Sequence, residues 1–337
     1  MTEHDIRDIK SLLATPKKIV IVPHKNPDGD AMGSTLGLFH YLRQQHEAVV
    51  IAPNDYPDFL KWMPGQDQVV VFESNRTKAE TLIASADLIF TLDFNALHRA
   101  GDMENDLKIS EAIKIMIDHH QQPDDYAKHQ FSDVTMSSTC EMVYQFINML
   151  GQKEVIDAEI ATCLYAGILT DTGSFRFPAA TSTTHLVAAD LIDRGAEHSE
   201  IYNSIYDTNS VERLQLLGVA LKNLKVLPEY RTAYITLSQE ELNTANFKKG
   251  DTEGFVNYGL SIKDIVFAAI FIEHKQEGIV KISFRSEGDF SVNEFSRKYF
   301  GGGGHTNAAG GKSDLSLNDT VEKFISILPS YKNSLNQ

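Results

Sequence analysis

Short apolar runs alternate with amphipathic stretches along the first part of the chain. The first run is Lys18-Ile19-Val20-Ile21-Val22-Pro23, and similar runs recur at 48–53, 69–72, 88–93 and 113–118. Their length and β-branched content predict strands. Residues 4–14 carry the spacing of a short amphipathic helix that stops near Pro16, and 31–45 and 78–84 also predict helices. Strands alternating with helices predict a parallel sheet with crossover helices. Helical patterning dominates from 138 to about 223, with breaks at Gly151, 173–178 and Gly195. Beyond it, 230–237, 265–273 and 279–285 predict strands, with helix-like segments between and after them. The expected fold is α/β. A domain with a mainly parallel sheet flanked by helices covers 1–195, a helical linker covers 196–226, and a smaller α+β domain covers 227–337.

The 337 residues suffice for two domains, each with its own core. A net charge of −15 argues against long duplex DNA or an anionic membrane as the main partner, since both need broad positive surfaces. It leaves room for a short phosphorylated ligand met by metal ions and a few local cations. Cys140 and Cys163 form no metal-spacing pair, and a reducing cytoplasm is the expected location. The N-terminus lacks a signal-peptide core, and no apolar run reaches membrane-spanning length, so a soluble intracellular protein is expected.

Candidate chemistry gathers where the predicted strands end. His24, Asp28 and Asp30 follow the first strand in a loop broken by Pro27 and Gly29. Asp93 ends the run 88–93, Asp118-His119-His120 ends the run 113–118, and Asp171 stands in Leu169-Thr170-Asp171-Thr172-Gly173. A lone strand-end aspartate is more often a turn former or a helix cap, and Asp28-Gly29 alone would read as a plain turn. Four such groups at one topological edge are not explained by turns, because ligands of open α/β sheets bind beyond the carboxyl ends of the strands. Carboxylates with imidazoles and no thiolate suit Mn²⁺, Zn²⁺ or Fe²⁺. Four aspartates brought together would repel one another strongly without cations.

His24-x-x-x-Asp28-x-Asp30, Asp93, Asp118-His119-His120 and Asp171 resemble, in order, the four motifs of the DHH phosphoesterase superfamily. The resemblance implies two metal ions, Mn²⁺ or other divalent ions. One would be held by His24, Asp28 and Asp93, the other by Asp30, Asp93, His119 and Asp171, with Asp93 bridging. It leaves His120 to contact phosphate and Asp118 to support the site from behind.

A second stretch is Gly301-Gly302-Gly303-Gly304-His305-Thr306-Asn307-Ala308-Ala309-Gly310-Gly311. Successive glycines let backbone N–H groups approach an anion closely, and the small residues after His305 are expected to open a helix whose N-terminus favours phosphate. With Ser283-Phe284-Arg285-Ser286 the stretch resembles the DHHA1 domain. The resemblance implies that Arg285, His305 and the backbone of Gly303 and Gly304 hold a nucleotide or its terminal phosphate. The planar fork of Arg285 suits that task. Arg176, five residues beyond Asp171, is a weaker candidate for a substrate contact. Met136-Ser137-Ser138-Thr139 is expected to be a helix N-cap region.

The whole-chain pattern resembles the oligoribonuclease/pAp phosphatase (nanoRNase) branch of DHH/DHHA1 proteins. That implies hydrolysis of short RNAs to 5′-mononucleotides and removal of the 3′-phosphate of adenosine 3′,5′-bisphosphate (pAp), with the second domain selecting the substrate. Alternatives are a cyclic di-AMP or linear dinucleotide phosphodiesterase, and a family II pyrophosphatase, whose basic motif Ser296-Arg297-Lys298 superficially resembles. A RecJ-type exonuclease on long single strands fits a short, acidic chain less well. The non-enzymatic alternative is a nucleotide-sensing module, against which the complete ligand set argues. A homodimer is left open.

Overall fold

The computed structural model describes residues 1–336, and the chain divides into two compact units, 1–208 and 209–337. The division falls inside the stretch 196–226 expected to be a separate linker. Its first helix belongs to one unit and its second to the other.

In the first unit, strands β1 (Lys18–Val22), β2 (Glu47–Ala52), β3 (Val70–Val71), β4 (Leu88–Leu92), β5 (Ile113–Asp118) and β6 (His129–Ser132) form one sheet in the order β3-β2-β1-β4-β5-β6. Every pairing in it is parallel. Successive side chains of a strand point to opposite faces, and both faces are buried. Ile19, Ile21, Phe90, Ile115 and Ile117 enter one core, while Val20, Val22 and Ile89 enter the other. This is why the strands read as unbroken apolar runs. The unit's helices are α1 (Glu3–Leu12), α2 (Gly29–Leu42), α3 (Arg76–Ala84), α4 (Glu104–Ile109), α5 (Thr139–Met149), α6 (Ala158–Asp171), α7 (Ser182–Asp193) and α8 (His198–Tyr206). Helices α2, α5, α6 and α7 supply the first core, and α3 and α4 close the second.

The second unit has a mixed six-stranded sheet of β7 (Lys225–Leu227), β8 (Thr232–Leu237), β9 (Phe267–His274), β10 (Ile279–Ser286), β11 (Gly303–Gly304) and β12 (Ala308–Ser313). Only β8 and β9 pair in parallel. Its helices are α9 (Val211–Asn223), α10 (Gln239–Thr244), α11 (Asn257–Leu260), α12 (Val292–Phe300), α13 (Leu317–Ile327) and α14 (Lys332–Leu335). Phe267 and Phe271 face a phenylalanine-rich core with Phe284, Phe295 and Phe324, while Ala268 and Ile270 face α9 and Phe255. No helix among the described residues is long and apolar enough to cross a membrane.

The glycine stretch departs from expectation. The segment after His305 is not a helix but strand β12, which pairs antiparallel with β10 and with β11. Its small residues serve packing. A Cβ on Gly311 would lie 2.8 Å from Ser296 Oγ and 2.9 Å from Phe300 Cβ, so α12 can lie on the strand only because Gly311 has none.

Candidate metal centre

The chain crosses from one side of β1 to the other between β3 and β4, so the loops after β1 and β4 part at a switch point of the sheet. His24 and Asp28 lie in the first of these loops and Asp93 in the second. Asp28 combines two roles. Its Oδ1 accepts hydrogen bonds from the backbone N–H groups of Asp30 and Ala31, both 3.1 Å, and so caps α2. Its Oδ2 lies 3.8 Å from His24 Nε2. Capping holds the first turn of α2 in place, and that turn carries Asp30.

Asp30 is buried, and its carboxylate meets the N-terminus of α5. Thr139 N–H donates to Oδ2 at 2.6 Å and Cys140 N–H to Oδ1 at 2.9 Å. Helix N-termini favour anions in this way. Asp93 takes a left-handed backbone (φ 64°), which aspartate tolerates better than most residues. Thr139 Oγ1 donates to its Oδ1 at 3.0 Å. Asp171 is the last residue of α6. It reaches the site because α2 and α6 run antiparallel and very close. Gly29, Gly33 and Gly37 on α2 face Thr170, Cys163 with Gly167, and Leu164 on α6.

These placements bring six donors into two groups, and Asp93 faces both. His24, Asp28 and Asp93 form one, with donor atoms within 4.8 Å of one another, and Asp30, His119 and Asp171 form the other. Asp93 presents Oδ2 to His24 Nε2 at 3.4 Å and Oδ1 to His119 Nε2 at 3.6 Å. His119 Nε2 is also 3.8 Å from Asp30 and 3.5 Å from Asp171. Each imidazole is oriented from behind. His24 Nδ1 donates to the carbonyl of Lys25 at 2.9 Å and His119 Nδ1 to that of Met136 at 3.2 Å, which leaves Nε2 as the basic nitrogen in both rings. His120 Nδ1 donates to the fully buried Asp118 at 2.7 Å, and Asp118 also accepts the His120 N–H.

The electrostatics mark the centre as incomplete on its own side chains. Burial opposes a charge on His24, but Asp28 and Asp93 override it and raise the imidazole to about 10. Burial likewise opposes His119, and Asp171, Asp93 and Asp30 raise it to about 9. Burial and the charges of Asp93 and Asp171 push Asp30 well above the usual carboxylate range. Burial, with Asp93 and Asp28 adding to it against the pull of His119, brings Asp171 up to about 6. Asp28 and Asp93 stay below their ordinary values because their histidines outweigh burial. Protons thus compensate a crowded anionic site, and a divalent cation in each group would do so better. Oxygen and imidazole donors fit hard to borderline cations, and the residues present fit a metal pair.

In the second unit the other candidates gather at one end of the sheet. Arg285, near the end of β10, pairs with Ala308 of β12, and its Nη1 donates to the Phe284 carbonyl at 3.0 Å. His305 opens the tight turn between β11 and β12, closed by its N–H on the Ala308 carbonyl at 2.7 Å. Asn307 ties that turn to Ser286 and Gly288. Gly304 has φ 148°, and a Cβ there would run into the Ala308 carbonyl. Asn293 Oδ1 accepts from both Gly304 N–H (3.1 Å) and Arg297 Nε (3.0 Å), so a second arginine stands beside the glycines.

The DHH family, N-terminal domain, matches residues 18–168, and the DHHA1 domain matches residues 231–331. The bifunctional oligoribonuclease and PAP phosphatase NrnA of Thermus thermophilus is 31% identical over 316 residues, spanning 93% of this chain and 90% of that protein. The chain belongs to the DHH phosphoesterase family. The protein of the same name from Bacillus subtilis is 29% identical over 296 residues, 87% of this chain and 88% of its own length. The crystal structure of an exopolyphosphatase-related protein from Bacteroides fragilis superposes with a TM-score of 0.96 at 40% identity, covering 100% of this chain and 98% of that one.

Some parts of the DHH centre were not read from the sequence. The N–H groups of Thr139 and Cys140 are backbone donors that any residue could supply, although Ser138 does cap α5 as expected. The Gly29, Gly33, Gly37 spacing is a signal of close helix packing that the sequence does carry. Arg297 belongs to the run Ser296-Arg297-Lys298, whose likeness to a pyrophosphatase motif says nothing of its place beside Gly304. Arg176 is exposed and lies over the Phe177 ring at 5.5 Å, and nothing draws it towards the candidate ligands.

Proposed function

We propose that this chain uses a pair of divalent cations, Mn²⁺ by preference, to hydrolyse short oligoribonucleotides to 5′-mononucleotides and to remove the 3′-phosphate of pAp. The observation that carries this reading is Asp93, whose two carboxylate oxygens face two separate His–Asp groups. The names of the Thermus and Bacillus relatives support the substrate class. His24, Asp28 and Asp93 would hold one ion, and Asp30, Asp93, His119 and Asp171 the other. When bound, the ions supply Lewis acidity, which activates water near neutral pH and neutralises phosphate oxygens.

The remaining work falls to the protein's own side chains. The Asp118 carboxylate accepts from His120 Nδ1 and fixes the orientation of the ring, which suits it to hydrogen-bond a phosphate oxygen as charge develops. Arg285 and His305, beside the backbone of Gly303 and Gly304, bind the nucleotide's phosphate, so the second unit selects the substrate.

A turnover panel in Mn²⁺ tests the reading: a 5-mer RNA, pApA, pAp, cyclic di-AMP and pyrophosphate. The RNA, pApA and pAp should be hydrolysed, with 5′-AMP as a product. Turnover of pyrophosphate alone would refute the assignment, and cyclic di-AMP as the best substrate would move it to the dinucleotide phosphodiesterases.

A further inference from the structure

A surface cavity of about 340 Å³ opens between α6, the loop that follows it and α8, lined by Tyr165, Leu169, Ser174, Phe175, His198, Ser199, Tyr202 and Asn203. We infer that this cavity is a nucleobase subsite, which takes one base of the oligonucleotide handled at the adjoining metal centre. The inference rests on the function proposed above and adds a place for the base to it.

The lining has two layers of chemistry. Tyr165, Phe175 and Tyr202 bring aromatic rings and Leu169 an aliphatic wall, and stacking on aromatic side chains is how proteins hold bases without depending on their identity. Ser174, His198, Ser199 and Asn203 bring polar groups, and none of these four side chains is hydrogen-bonded within the described residues. An apolar pocket with a few converging polar groups is the usual form of a small-molecule site, and the volume stands at the lower end of the roughly 300–1,000 Å³ of such sites. It suits one nucleoside rather than a dinucleotide.

The wall of the cavity is held in a costly backbone. Ser174 and Phe175 both take left-handed conformations, φ 61° and 62°, which non-glycine residues seldom adopt in succession. Three contacts keep Phe175 there. Its N–H donates to Thr172 Oγ1 at 2.9 Å, and one face of its ring stacks on His185 with centroids 5.2 Å apart. The other contact is with Tyr165, 6.0 Å away, so Phe175 stands fixed before any ligand arrives. Tyr202 is 43% exposed and packs on Tyr206 at 4.9 Å, which orients it without covering it.

Position ties the cavity to the chemistry. Leu169 precedes Asp171 by two residues and Ser174 follows it by three, so the chain itself keeps Ser174 within about 11 Å of Asp171. One nucleotide bridges such a span, with its base in the cavity and its phosphate towards the candidate ligands.

The test compares pApA with analogues in which one base or the other is replaced by hydrogen, using wild type, Tyr202→Ala and Tyr202→Phe, all in Mn²⁺. For wild type, removal of one particular base should raise KM about tenfold, the loss expected for one base–aromatic stack. Tyr202→Ala should erase that difference by raising KM for pApA itself, and Tyr202→Phe, which keeps the ring, should retain it. Equal KM values for pApA and both abasic analogues in wild type would overturn the subsite while leaving the proposed function standing. Failure to hydrolyse any of them would instead overturn the proposed function. If Tyr202→Ala changed the sedimentation coefficient and not KM, the cavity would belong to a contact between copies of the chain, and the inference would fall.

Discussion

Two imidazoles in the candidate metal centre hold protons that a bound cation would have to displace. In the metal-free centre His24 titrates at about 10 and His119 at about 9, so both are cationic at pH 7. A divalent cation needs the lone pair on each Nε2, and the Nδ1 donation to Lys25 and Met136 carbonyls leaves no other nitrogen for it. Loading both groups at pH 7 should therefore release at least the two imidazole protons, and affinity should rise with pH until it levels off near 9 to 10. The sign follows from the direction of the shifts. Both folded-state values lie above the ordinary 6.5, so protonation favours the metal-free folded protein below 6.5, and that advantage disappears as pH rises through the folded values. Titration calorimetry with Mn²⁺ in buffers of different ionisation enthalpy counts the protons. An affinity that stayed flat between pH 6.5 and 8.5 would show that the cations bind elsewhere.

At the scale of elements, the closeness of α2 and α6 decides whether Asp30 and Asp171 meet. A Cβ on Gly33 would lie 2.5 Å from the Cys163 carbonyl oxygen, a backbone atom that cannot swing aside, whereas a Cβ on Gly37 meets the Leu164 side chain at 2.6 Å, which can rotate. Gly33→Ala should thus cost about 1–3 kcal/mol as an overpacked contact and weaken Mn²⁺ binding to the Asp30–His119–Asp171 group. Gly37→Ala should cost less and leave metal affinity near wild type. Thermal unfolding with and without Mn²⁺ separates the two, and equal effects would mean that the helix spacing does not set the centre. The same elements show what the sequence could tell. Strands β1, β2, β4 and β5 were legible because both their faces are buried, which leaves apolar runs with no competing helical period. Strand β6, His129-Gln130-Phe131-Ser132, is short and carries a single apolar residue, and β12 is built of residues without strand preference, so tertiary pairing alone makes each a strand. Asp28 shows why the candidate site was legible despite an ordinary explanation for each part. It is a helix cap, as a lone aspartate should be, and it faces His24 with its other oxygen.

For the molecule as a whole, the proposed reading divides chemistry and recognition between two units with separate cores, which lets each be disabled alone. With a net charge of −15, attraction of a phosphorylated substrate must come from local groups rather than from the overall field. Arg285 is the proposed group of this kind in the second unit. It sits beside the Gly304–Ala308 turn, and its loss removes a charge without opening a core, since Phe284 and Ser286 on either side remain packed. Arg285→Ala should raise KM for pAp roughly tenfold to hundredfold, in keeping with about 1.5–3 kcal/mol for a hydrogen bond to a charged group, while Mn²⁺ affinity stays unchanged. Asp93→Ala should do the reverse. It removes the carboxylate that faces both candidate ligand groups, so Mn²⁺ binding should weaken and turnover should fall below detection, while the melting of the second unit stays at its wild-type temperature. Steady-state kinetics on pAp together with Mn²⁺ calorimetry on both variants decides the matter. Unchanged turnover in Asp93→Ala would remove Asp93 from the centre. Loss of Mn²⁺ affinity in Arg285→Ala would show that recognition and metal binding are not separable in this chain.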